Sequence, residues 1–322
     1  MRGGNLVLIL ILILLVFFWL RRRARLGRPV FMPRLGRRPR RVTVAVQGAR
    51  REAEVYASGA TAGAPLLLCF HGGLGQIERF ARGSGLSSRG PARGYVVAFP
   101  SAPTGWVDGR PELGESTQDL DFVEVLIEKL AVDLRIDTSR VFAIGVSNGG
   151  MFVERLAAER PALLAGGAAI IASVPARMAR SVAEAPPLPF ALICDRNDQI
   201  MPWHGGQIMR GQNRGYGGEV IPVEDVLELW VHRNRAVATG APVRVAGPEG
   251  HFVDIQDFSA QPGGAPLRFA AVTGEGHRWP RWPAYRGTTG FDAGEVALDF
   301  FAHAVGPSVG ARQRDASRSA RA

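Results

Sequence analysis

The chain has 322 residues, 46% of them apolar and 21% charged, a balance that supports a folded globular core and excludes a disordered or fibrous chain. The formal net charge of +10 does not belong to a folded face: residues 1–41 hold eleven arginines and no acid, the segment from Gly306 holds four arginines against Asp315, and residues 42–305 are left at −4. That excludes a nucleic-acid-binding domain, which needs basic side chains clustered on one folded surface, and the lack of long periodic helices excludes a coiled coil or helical bundle.

From Leu6 to Leu20 every residue is apolar, and Arg21, Arg22, Arg23 and Arg25 follow at once. As a helix this run rises about 22 Å, short of a hydrocarbon core of about 30 Å, so Asn5, Trp19 and snorkelling arginines complete the span. No small-x-small processing site follows, and the positive flank lies after the run rather than before it. Residues 5–20 therefore read as an uncleaved transmembrane anchor. Residues 21–41, with three prolines and no periodicity, read as a basic linker lying along anionic headgroups, and residues 306–322 as a disordered basic tail. Weighing Arg2 against the arginines after the span places the remainder of the chain in the cytoplasm by the positive-inside rule.

The body, residues 42–305, alternates short apolar runs with helical patterns. The runs at 41–46, 65–70, 94–99, 140–146, 165–174, 189–194 and 268–273 are bounded by Gly and Pro and predict buried strands. Helices are predicted over 116–134, 149–160, 223–236 and 293–305. In the first of these Leu120, Val123, Ile127 and Leu130 recur at helical spacing, with Ser116 as N-cap. Residues 241–273 alternate apolar and polar side chains before the last strand, which predicts a hairpin or irregular extension. The whole pattern predicts an α/β fold, a mostly parallel sheet with helices on both faces. Only fourteen residues separate Val174 from Pro189, so no long cap is expected there and the site should be fairly open.

The strongest chemical signal is Gly145-Val146-Ser147-Asn148-Gly149-Gly150, which ends a strand and opens a helix. This is the G-x-S-x-G nucleophile elbow of α/β hydrolases in the context the motif requires. A sharp turn lifts the serine hydroxyl above the carboxyl end of the sheet, and glycines avoid the clashes a Cβ would make. The backbone N–H of Asn148, at the start of the helix, is a candidate oxyanion donor. A second donor is expected from the glycine loop His71-Gly72-Gly73-Leu74-Gly75 after the strand at 65–70, with Gly73 the candidate. In this fold an acid and then a histidine follow the serine along the chain. Asp195 and Asp198 lie after the strand at 189–194, and His277 after the strand at 268–273. The other five histidines read as surface or satisfied core residues. Cys69 and Cys194 sit inside apolar runs without metal-ligand or disulfide spacing, so neither a metal nor a disulfide framework is expected.

Together, HGGLGQ (71–76), GVSNGGMF (145–152), DRNDQIMPWHGG (195–206) and GEGHRWP (274–280) resemble the polyhydroxybutyrate depolymerase-like esterases, a group of α/β hydrolases that includes feruloyl and acetylxylan esterases. The resemblance spans most of residues 42–304. It implies a serine carboxylesterase that needs no cofactor and acts on a small or polymeric ester. It also implies Asp198 as the triad acid, because Asp198 lies four residues before Pro202-Trp203, with Asp195 as fallback. The chain departs from the group at Gly73, where cysteine is common, at Arg278, where threonine is common, and in lacking the disulfides of its secreted members. Export of those members favours the opposite membrane side from the charge rule. Trp106, Trp203, Trp279 and Trp282 are expected to line an acyl or aromatic pocket. Two other readings follow from the same residues: a serine peptidase of this fold, and a catalytically inactive hydrolase fold serving as a membrane-attached binding module.

Overall fold

A computed structural model describes residues 39–304 apart from 74, 76, 211, 212 and 285–288. The anchor expected at 5–20, all but the last residues of the basic linker, and the expected tail lie outside the described residues. Among the described residues no helix is long and apolar enough to cross a membrane.

The chain enters through an antiparallel pair, β1 (Arg40–Val46) and β2 (Ala49–Tyr56). Their two-residue turn, Gln47-Gly48, has both residues at positive φ, the geometry that matches strand twist. The order continues β3 (Pro65–Phe70), α1 (Ile77–Ser84), α2 (Leu86–Ala92), β4 (Val96–Pro100), α3 (Gln118–Leu134), β5 (Asp137–Val146), α4 (Asn148–Glu159), β6 (Gly166–Ile170), α5 (Ala179–Glu184) and β7 (Phe190–Asp195). Then follow β8 (Gly206–Arg210), β9 (Asn213–Val220), α6 (Val223–Arg233), β10 (Ala236–Ala238), β11 (Val243–Ala246), β12 (Phe252–Ala260), β13 (Leu267–Thr273), β14 (Arg281–Trp282), β15 (Phe291–Asp292) and α7 (Ala293–Ala304). Eleven strands make the main sheet in the order β1-β2-β4-β3-β5-β6-β7-β13-β12-β10, with β11 also paired to β12. The strands from β4 to β13 run parallel, and both edges are antiparallel.

Strand β3 shows why the central strands are legible as unbroken apolar runs. Leu66, Leu68 and Phe70 point into one layer, with Leu120 and Leu126 of α3 and Phe152 of α4. Leu67 and Cys69 point into the other, with Leu86 of α2 and Phe301 of α7. A strand covered on both faces has no polar side to present. Leu66, Leu67, Leu68, Cys69 and Phe70 are all fully buried. Burial of this kind, at about 25 cal/mol per Å² of apolar surface, is the main term holding the sheet and helices together.

The structure departs from the sequence expectations where segments are short or mixed in character. Strand β2 (ARREAEVY) carries charged residues because it lies near the sheet edge and one face meets solvent. Helices α1 and α2 are short: α2 contains Gly90 and Pro91, and in α1 the apolar period is limited to Ile77, Phe80 and Ala81. Helix α3 begins one residue later than a Ser116 cap implies, with Thr117 at the N-cap, although the Ser116 hydroxyl still accepts the Gln118 N–H at 3.2 Å. The alternating segment is the antiparallel ribbon of β11, β12 and β13. The pair β8–β9 was not foreseen. Strand β1 starts at Arg40, inside the segment read as linker.

Candidate active site

Ser147 sits between the end of β5 and the start of α4 with φ 55° and ψ −123°, a backbone conformation that an L-residue holds only when its surroundings enforce it. The neighbouring glycines show how. A Cβ on Gly145 would stand 2.0 Å from the Gly149 carbonyl oxygen, and one on Gly149 would stand 2.3 Å from that of Phe70. The elbow is therefore pressed against the end of β3 with no room for side chains. Its Ser147 N–H donates to the Ile170 carbonyl at 2.9 Å, which ties the turn to β6.

The Ser147 hydroxyl lies 2.9 Å from His277 Nε2, and His277 Nδ1 lies 2.7 and 2.9 Å from the two Asp198 carboxylate oxygens. Asp198 Oδ1 also accepts the N–H groups of Ile200 and Met201, each at 2.8 Å. These backbone donors fix the carboxylate, and the carboxylate fixes the ring with Nδ1 protonated and Nε2 free to accept from the serine. Asp195 does not touch the imidazole. Its carboxylate accepts the N–H groups of Asn197 at 2.7 Å and Glu275 at 2.9 Å, so it anchors the loop that carries His277. Burial raises the Asp195 pKa above the ordinary range, only partly offset by those backbone donors.

The glycine loop after β3 lies alongside the elbow. A methyl at Gly72 would reach Ser147 Cβ at 3.6 Å, and one at Gly73 would reach Asn148 Cβ at 3.8 Å. The Asn148 N–H belongs to the first turn of α4 and has no intrahelical acceptor. Its side chain is locked: Oδ1 accepts the Trp106 N–H at 2.8 Å, while Nδ2 donates to the Trp106 carbonyl at 2.9 Å and to Asp108 Oδ2 at 2.6 Å. His71 braces the glycine loop, with Nε2 accepting the Ala102 N–H at 3.1 Å and Nδ1 donating to the Gly72 carbonyl at 2.8 Å. Burial lowers the His71 pKa and favours the neutral ring this pattern requires.

A cavity of about 820 Å³ opens above these groups, lined near the serine by Met151, Ile171, Met201 and Trp279. Trp279 is among the residues lining it. Trp106 and Trp203 are not among the residues lining this cavity. Trp106 is fully buried beneath the site, stacked on Phe152 at 4.9 Å; Trp203 packs under the Arg196 guanidinium and donates its indole N–H to Glu224. Trp282 is buried against Phe291. Aromatic identity alone does not distinguish a side chain that faces a cavity from one that supports its floor. Sequence reasoning also missed Asp108, fully buried with Arg110 as its ion-pair partner at 2.7 Å, and the β8–β9 wall, which contributes Ile208 and Gly217. That wall comes from the segment after β7 rather than from the short one between β6 and β7. Cys69 and Cys194 are both free and buried.

A mostly parallel sheet carrying a serine at a strand-to-helix elbow, faced by a histidine after β13, defines an α/β-hydrolase fold. No protein-family model matches the chain. It is 30% identical over 282 residues to NocK of Nocardia uniformis subsp. tsuyamanensis, a protein named as an esterase, and the match covers 80% of each chain. It is 29% identical over 168 residues to poly(3-hydroxyalkanoate) depolymerase C of Paucimonas lemoignei, covering 50% of this chain and 39% of that one. Among solved structures, the acetyl xylan esterase from Aspergillus awamori superposes with a TM-score of 0.56 at 14% identity, covering 82% of this chain and 99% of the other, a likeness of fold. The chain spans between 16% and 54% of the length of four other curated relatives, the depolymerase included. This chain belongs to the NocK-like family of esterases, within the group of carboxylic ester hydrolases that includes acetylxylan and feruloyl esterases and polyhydroxyalkanoate depolymerases.

Proposed function

We propose that the protein is a membrane-anchored serine esterase that works through an acyl-enzyme on Ser147. The observation that carries this reading is the continuous hydrogen-bonded chain from Asp198 through His277 to the Ser147 hydroxyl. Ser147 Oγ attacks the ester carbonyl carbon while His277 Nε2 takes its proton, and Asp198 stabilises the resulting imidazolium. The N–H groups of Asn148 and Gly73 hold the oxyanion of the tetrahedral adduct. Collapse breaks the bond to the alcohol oxygen, which leaves with the proton from His277. Water then attacks the acyl-serine with His277 again as base, releasing the carboxylic acid and restoring the hydroxyl.

The apolar run at 5–20 supports attachment to a membrane as a single-pass protein, with residues 21–41 as linker and 42–305 as the catalytic domain. Activity-based labelling tests the chemistry: a fluorophosphonate should modify the full-length chain in detergent at Ser147, and p-nitrophenyl esters should be hydrolysed with a burst. Absence of both would overturn the serine mechanism. Fusion of alkaline phosphatase after Ala304 reports the side, since phosphatase activity places the domain outside the cytoplasm and its absence places it within.

A further inference from the structure

We infer that the substrate carries a free carboxylate close to its ester bond, recognised by Arg79, Arg278 and Arg281 on one wall of the cavity; this rests on the esterase reading above. All three line the cavity, and no aspartate or glutamate is among the residues that do. Among the described residues none of the three is in an ion pair, and the residues outside the description hold a single acidic side chain, Asp315. Elsewhere most described arginines of the body are in ion pairs, such as Arg89 with Asp292 at 2.8 Å, Arg155 with Glu159 at 2.7 Å and Arg244 with Asp254 at 2.7 Å; Arg82, Arg135, Arg233 and Arg235 are not, but none of these four lines the cavity. Arg110, the fourth arginine of the cavity, is neutralised by Asp108. A body that is net acidic thus gathers three uncompensated cations at the mouth of its active site.

The wall that bears them is built rather than incidental. Arg79 lies on α1 beside Phe80, whose ring meets Trp279 edge-on at 5.7 Å, and Arg281 donates to the Gly83 carbonyl at 3.1 Å. Arg278 donates through Nε to the Glu275 carbonyl at 3.1 Å, which leaves its terminal nitrogens free of that bond. Helix α1 and residues 278–281 are therefore held together, and Arg278 directly follows the histidine that meets Ser147. A carboxylate bound there would occupy the same cavity as the reacting carbonyl. Guanidinium groups suit this task because their planar donors match a carboxylate, and three exposed cations of one sign lining a cleft raise the local concentration of anionic substrate. The remaining lining near the serine is apolar, so the complementary ester has a short hydrocarbon segment and one charged end.

The carboxylate belongs to either the acyl or the alcohol portion, and paired substrates separate the two. The full-length chain in detergent is offered the p-nitrophenyl half-ester of glutaric acid against p-nitrophenyl valerate, and 4-carboxybutyl butyrate against pentyl butyrate, over uncatalysed blanks. The charged member of at least one pair is expected to have a kcat/KM about tenfold higher or more, within reach of one or two charge-assisted hydrogen bonds. That preference should shrink as salt is raised and fall to near parity in the triple variant Arg79→Gln, Arg278→Gln, Arg281→Gln. Preference for the neutral member in both pairs overturns the inference while leaving the esterase reading intact, and so does a preference that survives in a triple variant still labelled by fluorophosphonate. If the triple variant does not fold, the salt dependence of the wild-type preference decides, a flat dependence counting against. Hydrolysis of no ester, together with no labelling of Ser147, removes the esterase reading instead.

Discussion

Asp195 holds the backbone of the histidine loop, accepting the Glu275 N–H at 2.9 Å, whereas Asp198, three residues later, holds the histidine ring itself. Two carboxylates, one ending β7 and one in the turn after it, thus have separate tasks, one on the loop and one on the imidazole. Substitution should separate them. Asp198→Asn leaves His277 without its anionic partner and should lower kcat by about 10⁴-fold with the fold intact. Asp195→Asn retains the triad contacts but leaves one buried N–H without an acceptor, so it should lower stability by about 1–3 kcal/mol and reduce kcat far less. Steady-state kinetics and thermal melts of the two variants check this, and the opposite pattern would transfer the triad role to Asp195.

Ser147→Ala and His277→Ala remove the nucleophile and the base of the proposed mechanism. Each should reduce ester turnover by roughly 10⁴- to 10⁶-fold, and the double variant should be no worse than the single ones, because the residues act as a unit. Additive losses in the double variant would argue that the two groups do not share one step.

The elbow leaves no space for a methyl group at Gly149, where a Cβ would lie 2.3 and 2.5 Å from the carbonyl oxygens of Phe70 and His71. Both are backbone atoms at the end of β3, so relief requires moving the glycine loop that follows it. Gly149→Ala should cost about 1–3 kcal/mol or more and suppress fluorophosphonate labelling even below its melting temperature. Gly83→Ala, with nothing within 4 Å of the added methyl, is the matched control and should label normally.

Glu154, on the helix that follows Ser147, is completely buried, and burial pushes its carboxyl up to about 8 despite its hydrogen bond from Trp230 and the nearby Arg233. In the unfolded chain a glutamate ionises near 4.3. Between these values the folded state holds a proton that the unfolded state has lost, so stability falls as pH rises from about 4.5 to about 8. Thermal midpoints should decline across that window in the wild type. Glu154→Gln, which is neutral at every pH, should remove this component of the slope. An unchanged slope in the variant would show that Glu154 does not carry it.

If residues 5–20 anchor the protein, the apolar run and not the arginines should hold it in place, since headgroup contacts are screened within about 8 Å at physiological salt. The full-length chain should sediment with membranes, resist extraction by high salt and be released by detergent. Recovery of a soluble form lacking the first 25 residues would overturn the anchor.

The central parallel strands β4, β3, β5, β6, β7 and β13 and the positions of Ser147 and His277 in strand-end loops were readable from the sequence because their signals are local. A strand buried on both faces must be apolar throughout, and an elbow of this kind needs glycine where a Cβ would strike neighbouring backbone. What lay beyond the sequence depends on contacts between segments far apart in the chain. Asp195 and Asp198 occupy the same loop, and from residue types alone either could have faced the histidine; the hydrogen bonds from Ile200 and Met201 orient the second, and Glu275 engages the first. Trp106, Trp203 and Trp279 look alike as aromatic residues near glycine loops, yet of these three Trp279 alone faces the cavity, because Trp106 packs on Phe152 below it and Trp203 turns toward Glu224. The assembly of Arg79, Arg278 and Arg281 on one wall is of the same kind: nearly two hundred residues separate Arg79 from Arg278, and the packing of Phe80 on Trp279 together with the Arg281 bond to the Gly83 carbonyl brings them to one wall of the cavity. Local sequence determines backbone propensity and burial pattern, while the direction of a polar or aromatic side chain follows from the partners that the completed fold supplies.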